Sequence, residues 1–201
     1  MRQYARLVAE AMKRLYEKNL IELKGGNASI RVNIGGLEVI LITPSGRAKD
    51  KINPDEVAAM TLDGNVVYGR PSSEYRLHLE VYRRIGRARA VVHAHNPLAT
   101  VLAESGLPLE PFAGEAFNTC ITMVEYHPAG TAELARAVAD RLASSGCRVA
   151  VMERHGIVSI GEGADPEKAL LDAIELVEAV ELAAFRALTL LVSAPLLLYR
   201  G

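Results

Sequence analysis

The sequence predicts one soluble α/β domain, on three observations. Apolar residues recur at helical spacing near both ends of the chain. The interior carries short β-rich runs punctuated by Gly, Asn and Asp. The 201 residues contain no repeat, low-complexity segment or linker at which to divide them. A chain of this length can bury a full core. Half its residues are hydrophobic and 23% are charged, which is the balance of a globular protein.

The elements follow in order. Leu7, Ala11 and Leu15 predict an amphipathic helix over residues 3–19. "ASIRVNIGGLEVILIT" reads as a hairpin turned at "NIGG", and "VAAMTLDGNVVYG" as a second one turned at Asp63-Gly64-Asn65. "SSEYRLHLEVYRRIG" is a helix opened by serine and closed by Gly86. "ARAVVHAH" is a buried strand, after which Asn96-Pro97 opens the next helix. "CITMVEY" is a strand, "GTAELARAVADRLASSG" a helix with a glycine stop, "RVAVMERHGIVSIG" a pair of strands, and "DPEKALLDAIELVEAVELAAFRALTLL" a long final helix. The tail "LTLLVSAPLLLY" is apolar, interrupted by Pro195 and too short to span a bilayer. It suits either ordinary core or a surface covered by another copy of the chain.

Composition excludes several classes. The net charge is −1 with acids and bases interspersed, so no basic face suggests nucleic acid. The charged opening "MRQYARLVAEAMKRLYEKN" is no signal peptide. Two cysteines, Cys120 and Cys147, make neither a disulfide framework nor a CxxC site. The expectation is a cytoplasmic protein with reduced thiols and no membrane partner.

The chemistry concentrates in a few short stretches. In "VVHAHNP", His93 and His95 sit at i and i+2 of a strand and therefore project to one side. Two such imidazoles are either hydrogen-bonded residues at a strand end or half of a zinc site, which needs further ligands. His155, in "VMERHGIV" at the end of another β run, supplies a third imidazole; alone it reads equally as a turn residue. His78 and His127 read as structural. Glu74, in the first turn of the helix after "GRPSS", is a candidate carboxylate, although the helix dipole alone favours an acid there. Ser72 and Ser73 beside that helix start suit a phosphate. So do Gly25, Gly26 and Asn27 in "KGGNASIR", and Thr43, Ser45 and Gly46 in "ITPSGR", although turns use these residue types anyway.

The ordered set "GGNASIR", "ITPSG", "PSSE", "HAH" and "RHG" is similar to the zinc-dependent class II aldolase/epimerase family, the group of L-fuculose-phosphate aldolases and L-ribulose-phosphate 4-epimerases. The resemblance implies a single three-layer α/β/α domain over residues 1–201, with a mixed, largely antiparallel central sheet. It implies Glu74, His93, His95 and His155 as ligands of one Zn2+ per subunit. Gly26, Asn27, Ser45, Gly46, Ser72 and Ser73 would line the substrate phosphate pocket. Arg31 and Arg47 flank these turns in sequence. The reaction implied is reversible cleavage of a ketose 1-phosphate, such as L-fuculose 1-phosphate, to dihydroxyacetone phosphate and an aldehyde such as lactaldehyde. Glu74 would serve as the base, and zinc would polarise the substrate oxygens. The family's architecture implies a homotetramer with sites between subunits.

The chain also departs from the fuculose-phosphate aldolases. Where they carry a proton-donating tyrosine, "GLPLEPFAGEAF" has Phe112, so Glu115 or Tyr126 is the expected substitute. Tyr199 does not align with their C-terminal tyrosine. A 4-epimerase or a methylthioribulose-1-phosphate dehydratase would use the same fold. An adducin-like interaction domain would lack the metal ligands that are present here.

Overall fold

The computed structural model describes the backbone of residues 1–114 and 117–198, with side chains as far as Ser193. Glu115 and Tyr199 lie outside the described residues, as do the side chains at the end of the apolar tail. Helix α1 (Arg2–Glu17) buries Ala5, Val8, Met12 and Leu15, one stripe at three- and four-residue steps. Strands β1 (Asn27–Ile34) and β2 (Leu37–Ile42) form the first hairpin, with Ile34 opposite Leu37. Its turn needs left-handed backbone at Gly35 and Gly36, where φ is 61° and 89°, and Asn33 Oδ1 accepts the Gly36 N–H at 2.9 Å. The second hairpin is β3 (Ala58–Met60) and β4 (Val66–Tyr68), an exposed edge strand.

Next come α2 (Tyr75–Arg84), β5 (Ala88–Ala94) and α3 (Pro97–Glu104). They are followed by β6 (Ile121–Val124), α4 (Ala132–Ser145), β7 (Val149–Met152), β8 (Gly156–Glu162) and α5 (Pro166–Leu198). Helix α4 starts at Thr131, whose hydroxyl accepts the Leu134 N–H at 3.2 Å, and stops at left-handed Gly146.

The eight strands form one sheet in the order β4-β3-β2-β1-β5-β8-β7-β6. All neighbours are antiparallel except β6 and β7, which α4 joins as a crossover. Alternation along the strands divides the core in two. Ile30, Val32 and Val92 face α1, α3 and α5, whereas Ile40, Ile42 and Val91 face α2 and α4. This is the expected three-layer mixed sheet. No helix among the described residues is long and apolar enough to cross a membrane.

Two expectations need correction. The thiols are not free: Cys120 and Cys147 are joined in a disulfide, with Cα atoms 4.8 Å apart. Cys120 immediately precedes β6, and Cys147 lies just before β7. The parallel register, Ile121 opposite Val149, brings the two together across 27 residues of sequence. The helix after "PSS" also starts later than serine. Ser72 is still outside the helix, its N–H bonded to the Thr43 carbonyl at 2.9 Å, and Glu74 occupies the N-cap position instead of the first turn.

Candidate active site

The candidate residues meet at one end of the three central strands. Asn27 of β1 is opposite His93 of β5, and His93 is opposite Val158 of β8. His95 lies just past β5, held by its N–H to the Leu20 carbonyl at 2.9 Å. His155 ends the turn between β7 and β8. Gly156 follows it because a Cβ there would stand 2.3 Å from the Ala94 carbonyl oxygen, at a φ of 142° that favours glycine. Gly26 meets the same segment from the other side, since its Cβ would fall 2.8 Å from the His93 carbonyl oxygen.

His93 is fully buried, and its Nδ1 is 2.9 Å from the Ile157 carbonyl. A carbonyl only accepts, so Nδ1 carries the proton and Nε2 keeps its lone pair. His95 Nδ1 is likewise engaged by the Glu22 carboxylate at 2.5 Å. The two Nε2 atoms therefore face each other 3.0 Å apart as acceptors. Glu74 closes the group, Oε2 at 3.3 Å from His93 Nε2 and Oε1 at 3.3 Å from His155 Nε2. Its Oε1 is buried without a hydrogen-bond partner. The ligand atoms of His93, His95 and His155 lie within 4.8 Å of one another.

Electrostatics keep this set ready for a cation. Burial pushes the His93 pKa down to about 4 against the pull of Glu74, and burial also lowers that of His155. Burial would raise that of Glu74, but His93, His155 and the Asn27 amide outweigh it and the net shift is down. His93 and His155 are thus neutral and the Glu74 carboxylate ionised at neutral pH. Three imidazoles and an orphaned carboxylate oxygen converging at this spacing fit a divalent metal ion.

Beside the ligands lies a cavity of about 270 Å³. It is lined by Gly26, Asn27, Ser45, Gly46, Ser72, Ser73, Glu74, His95 and His155, so every predicted pocket residue among the described ones reaches it. Thr43 does not, because its hydroxyl is buried against the Ala28 backbone N–H at 3.1 Å. Arg31 is buried elsewhere, on the Gly86 carbonyl and the Tyr82 ring, and Arg47 pairs with Glu56 at 2.6 Å. Phe112 packs against the core.

Three residues of the site went unread in the sequence. His78, expected to be structural, bonds the Asn27 side chain that donates to Glu74 at 2.8 Å. Glu22 orients His95, and buried Lys49 borders the cavity. None stands in a recognisable motif, and only strand pairing brings them in.

The family model described as Class II Aldolase and Adducin N-terminal domain matches residues 6–184. The chain belongs to this family. Among class II aldolases it is similar to an L-fuculose phosphate aldolase of Methanocaldococcus jannaschii, 34% identical over 84% of this chain and 87% of the relative. It is also 34% identical to a 5-methylthioribulose-1-phosphate/5-deoxyribulose-1-phosphate aldolase of Rhodospirillum rubrum, over 78% of this chain and 67% of that one. The crystal structure of an L-fuculose-1-phosphate aldolase from Thermus thermophilus superposes with a TM-score of 0.75 at 30% identity, covering 94% of this chain and 95% of that one. The protein is thus an enzyme of the class II aldolase kind, a carbon–carbon lyase.

Proposed function

We propose that the protein is a zinc-dependent aldolase that reversibly cleaves a ketose 1-phosphate, with L-fuculose 1-phosphate the leading candidate, to dihydroxyacetone phosphate and an aldehyde. The observation that carries this reading is the meeting of His93, His95, His155 and Glu74 beside a cavity walled by Ser45, Gly46, Ser72 and Ser73. These four residues would hold the zinc, which when bound supplies Lewis-acid polarisation of substrate oxygens. The serine and glycine turns would hold the phosphate.

In the synthetic direction Glu74 takes a proton from the carbon beside the carbonyl of dihydroxyacetone phosphate. The freed electron pair bonds to the aldehyde carbon, and the aldehyde oxygen takes up a proton. Glu74 suits the first step because it stands where the ligand group meets the cavity, and giving up its place as ligand when substrate oxygens bind would free its carboxylate to act as the base. The second proton comes from Glu115 or Tyr126. The enzyme works as a homotetramer with sites at subunit interfaces, in the cytoplasm.

The test is a panel of phosphorylated ketoses given to zinc-loaded protein: L-fuculose, 5-deoxyribulose and 5-methylthioribulose 1-phosphates and a ribulose phosphate. Release of dihydroxyacetone phosphate is the expected result, fastest from the first. Epimerisation without cleavage would replace the aldolase reading by an epimerase, and loss of water by a dehydratase.

A further inference from the structure

We propose that Lys49 reads the charge of the substrate's phosphate and makes the cavity selective for a dianionic phosphate monoester. The inference rests on the sugar-phosphate reading above and adds a charged residue to a pocket otherwise built from neutral donors.

Lys49 opens a short 3-10 turn, Lys49–Lys51, between the first hairpin and β3, and its N–H is fixed to the Leu23 carbonyl at 2.8 Å. The residue is only 2% exposed, yet it borders the cavity together with Ser45, Ser72, Ser73 and Glu74. Among the described residues its ammonium has no hydrogen bond and no carboxylate within the 4.0 Å of an ion pair. The other basic residues nearby are placed differently. Arg47 is paired with Glu56, and Lys24 reaches the cavity only from its exposed rim.

Lys49 is almost enclosed, yet its Nζ is not one of the fully buried polar atoms left without a partner, and the cavity it borders is where that remaining surface can meet a ligand. Burial presses the Lys49 pKa down, and the nearby Glu74 charge opposes that. The same Glu74 carboxylate would repel an incoming phosphate. Hydroxyl and N–H donors give the phosphate direction but no net charge. Lys49 provides the opposite charge on the phosphate side of the cavity, where a dianion gains more than a monoanion or a neutral hydroxyl.

The experiment is calorimetric titration of zinc-loaded wild type and Lys49→Met with inorganic phosphate, dihydroxyacetone phosphate and unphosphorylated dihydroxyacetone. Zinc content and melting temperature are measured alongside. Lys49→Met is expected to weaken both phosphate-bearing probes by roughly 30-fold or more. Dihydroxyacetone binding and zinc content stay unchanged, and the melting temperature is not lowered. Unchanged phosphate binding in the variant, where the wild type binds, would overturn the assignment and leave the aldolase reading intact. So would loss of zinc or a lowered melting temperature, which would make Lys49 a support for Glu74 or for the fold. A wild type that binds neither phosphate nor dihydroxyacetone phosphate would overturn this inference and the sugar-phosphate reading together.

Discussion

The His78 imidazole is hydrogen-bonded to the Asn27 side-chain oxygen, and this bond decides which end of the Asn27 amide faces Glu74. An amide oxygen accepts, so His78 Nε2 carries the proton and Nδ1 accepts from the Ser29 hydroxyl at 2.7 Å. Ser29 in turn accepts from the Tyr82 hydroxyl at 2.8 Å, a phenol that burial keeps protonated. Donors therefore run one way, from Tyr82 through Ser29, His78 and Asn27 to the Glu74 carboxylate. Two buried side chains of α2 thus orient a proposed metal ligand through two residues of β1.

Breaking this chain should loosen the metal. In His78→Phe the Asn27 oxygen loses its donor and the amide is free to turn, withdrawing its N–H from Glu74. Partners of ligating carboxylates typically contribute tenfold or more, so zinc affinity should fall by roughly 10- to 100-fold. Competition against a chromophoric chelator reads this directly. An unchanged affinity would reduce the chain to packing.

The same histidine should leave a mark on acid stability. Burial is the first cause that lowers the His78 pKa, to about 3, far below its ordinary value. The unfolded chain therefore binds a proton that the folded one refuses between about pH 6.5 and 3, and stability falls as pH falls through that window. From pH 7 to 5 the contribution is about 2 kcal/mol. In metal-free protein, His78→Gln should lose less stability over that interval than wild type by about this amount, measured by urea denaturation at both pH values.

Removing imidazoles from the ligand group should abolish metal binding outright. His93→Ala and His95→Ala each remove one of the acceptor nitrogens facing each other at 3.0 Å. Zinc should drop from about one equivalent per chain to nearly none after dialysis, with activity falling in parallel. Full metal content in the double variant would refute the ligand assignment.

The disulfide predicts a stability cost at a distance from the chemistry. It ties the start of β6 to the start of β7 and closes a loop that contains α4. For a loop of this length the chain-entropy cost of losing the bond is about 3.5 kcal/mol. Cys147→Ser should lower the unfolding free energy by about 2–4 kcal/mol, seen in denaturant titration, with little change in zinc content.

What the sequence revealed and what it hid have distinct physical causes. His93 and His95 were legible because two residues one apart on a strand share a face whatever the rest of the fold does. His155 and Glu74 were legible only through their motifs, since neither position alone argues for a ligand. Glu74 was placed in a first helical turn because "PSSE" looks like a helix opening. The Ser72 N–H instead bonds the Thr43 carbonyl, and the helix begins only after Glu74. His78 looked like an ordinary residue of α2 because its partners are on β1, 49 and 51 residues away. The cysteine pair was hidden for a similar reason. A separation of 27 residues signals nothing until α4 returns the chain to a parallel register.

The remaining question is where the second proton comes from, and α5 bears on it. Leu182, Phe185, Leu188, Leu191 and Val192 are exposed, Phe185 by 57% and Val192 by 65%. A helix that carries such a stripe is suited to a contact with another copy. Phe112 packs against the core of its own chain and has no proton to donate, so Glu115 and Tyr126, proposed above as the acid, are the residues to test. Tyr126 is half exposed, and the Arg154 guanidinium lies 5.6 Å from its ring, next in sequence to His155. It stands three and four residues before Ala129 and Gly130, which line the cavity. Sedimentation equilibrium at micromolar concentration should therefore find a tetramer, and mixing should find a shared site. Glu74→Gln and Glu115→Gln chains, each inactive alone, should regain part of the activity when dissociated and re-assembled together, because some sites then pair an intact Glu74 with an intact Glu115. If Glu115→Gln is active by itself, the same mixing is done with Tyr126→Phe. A monomer with full activity would refute the shared site.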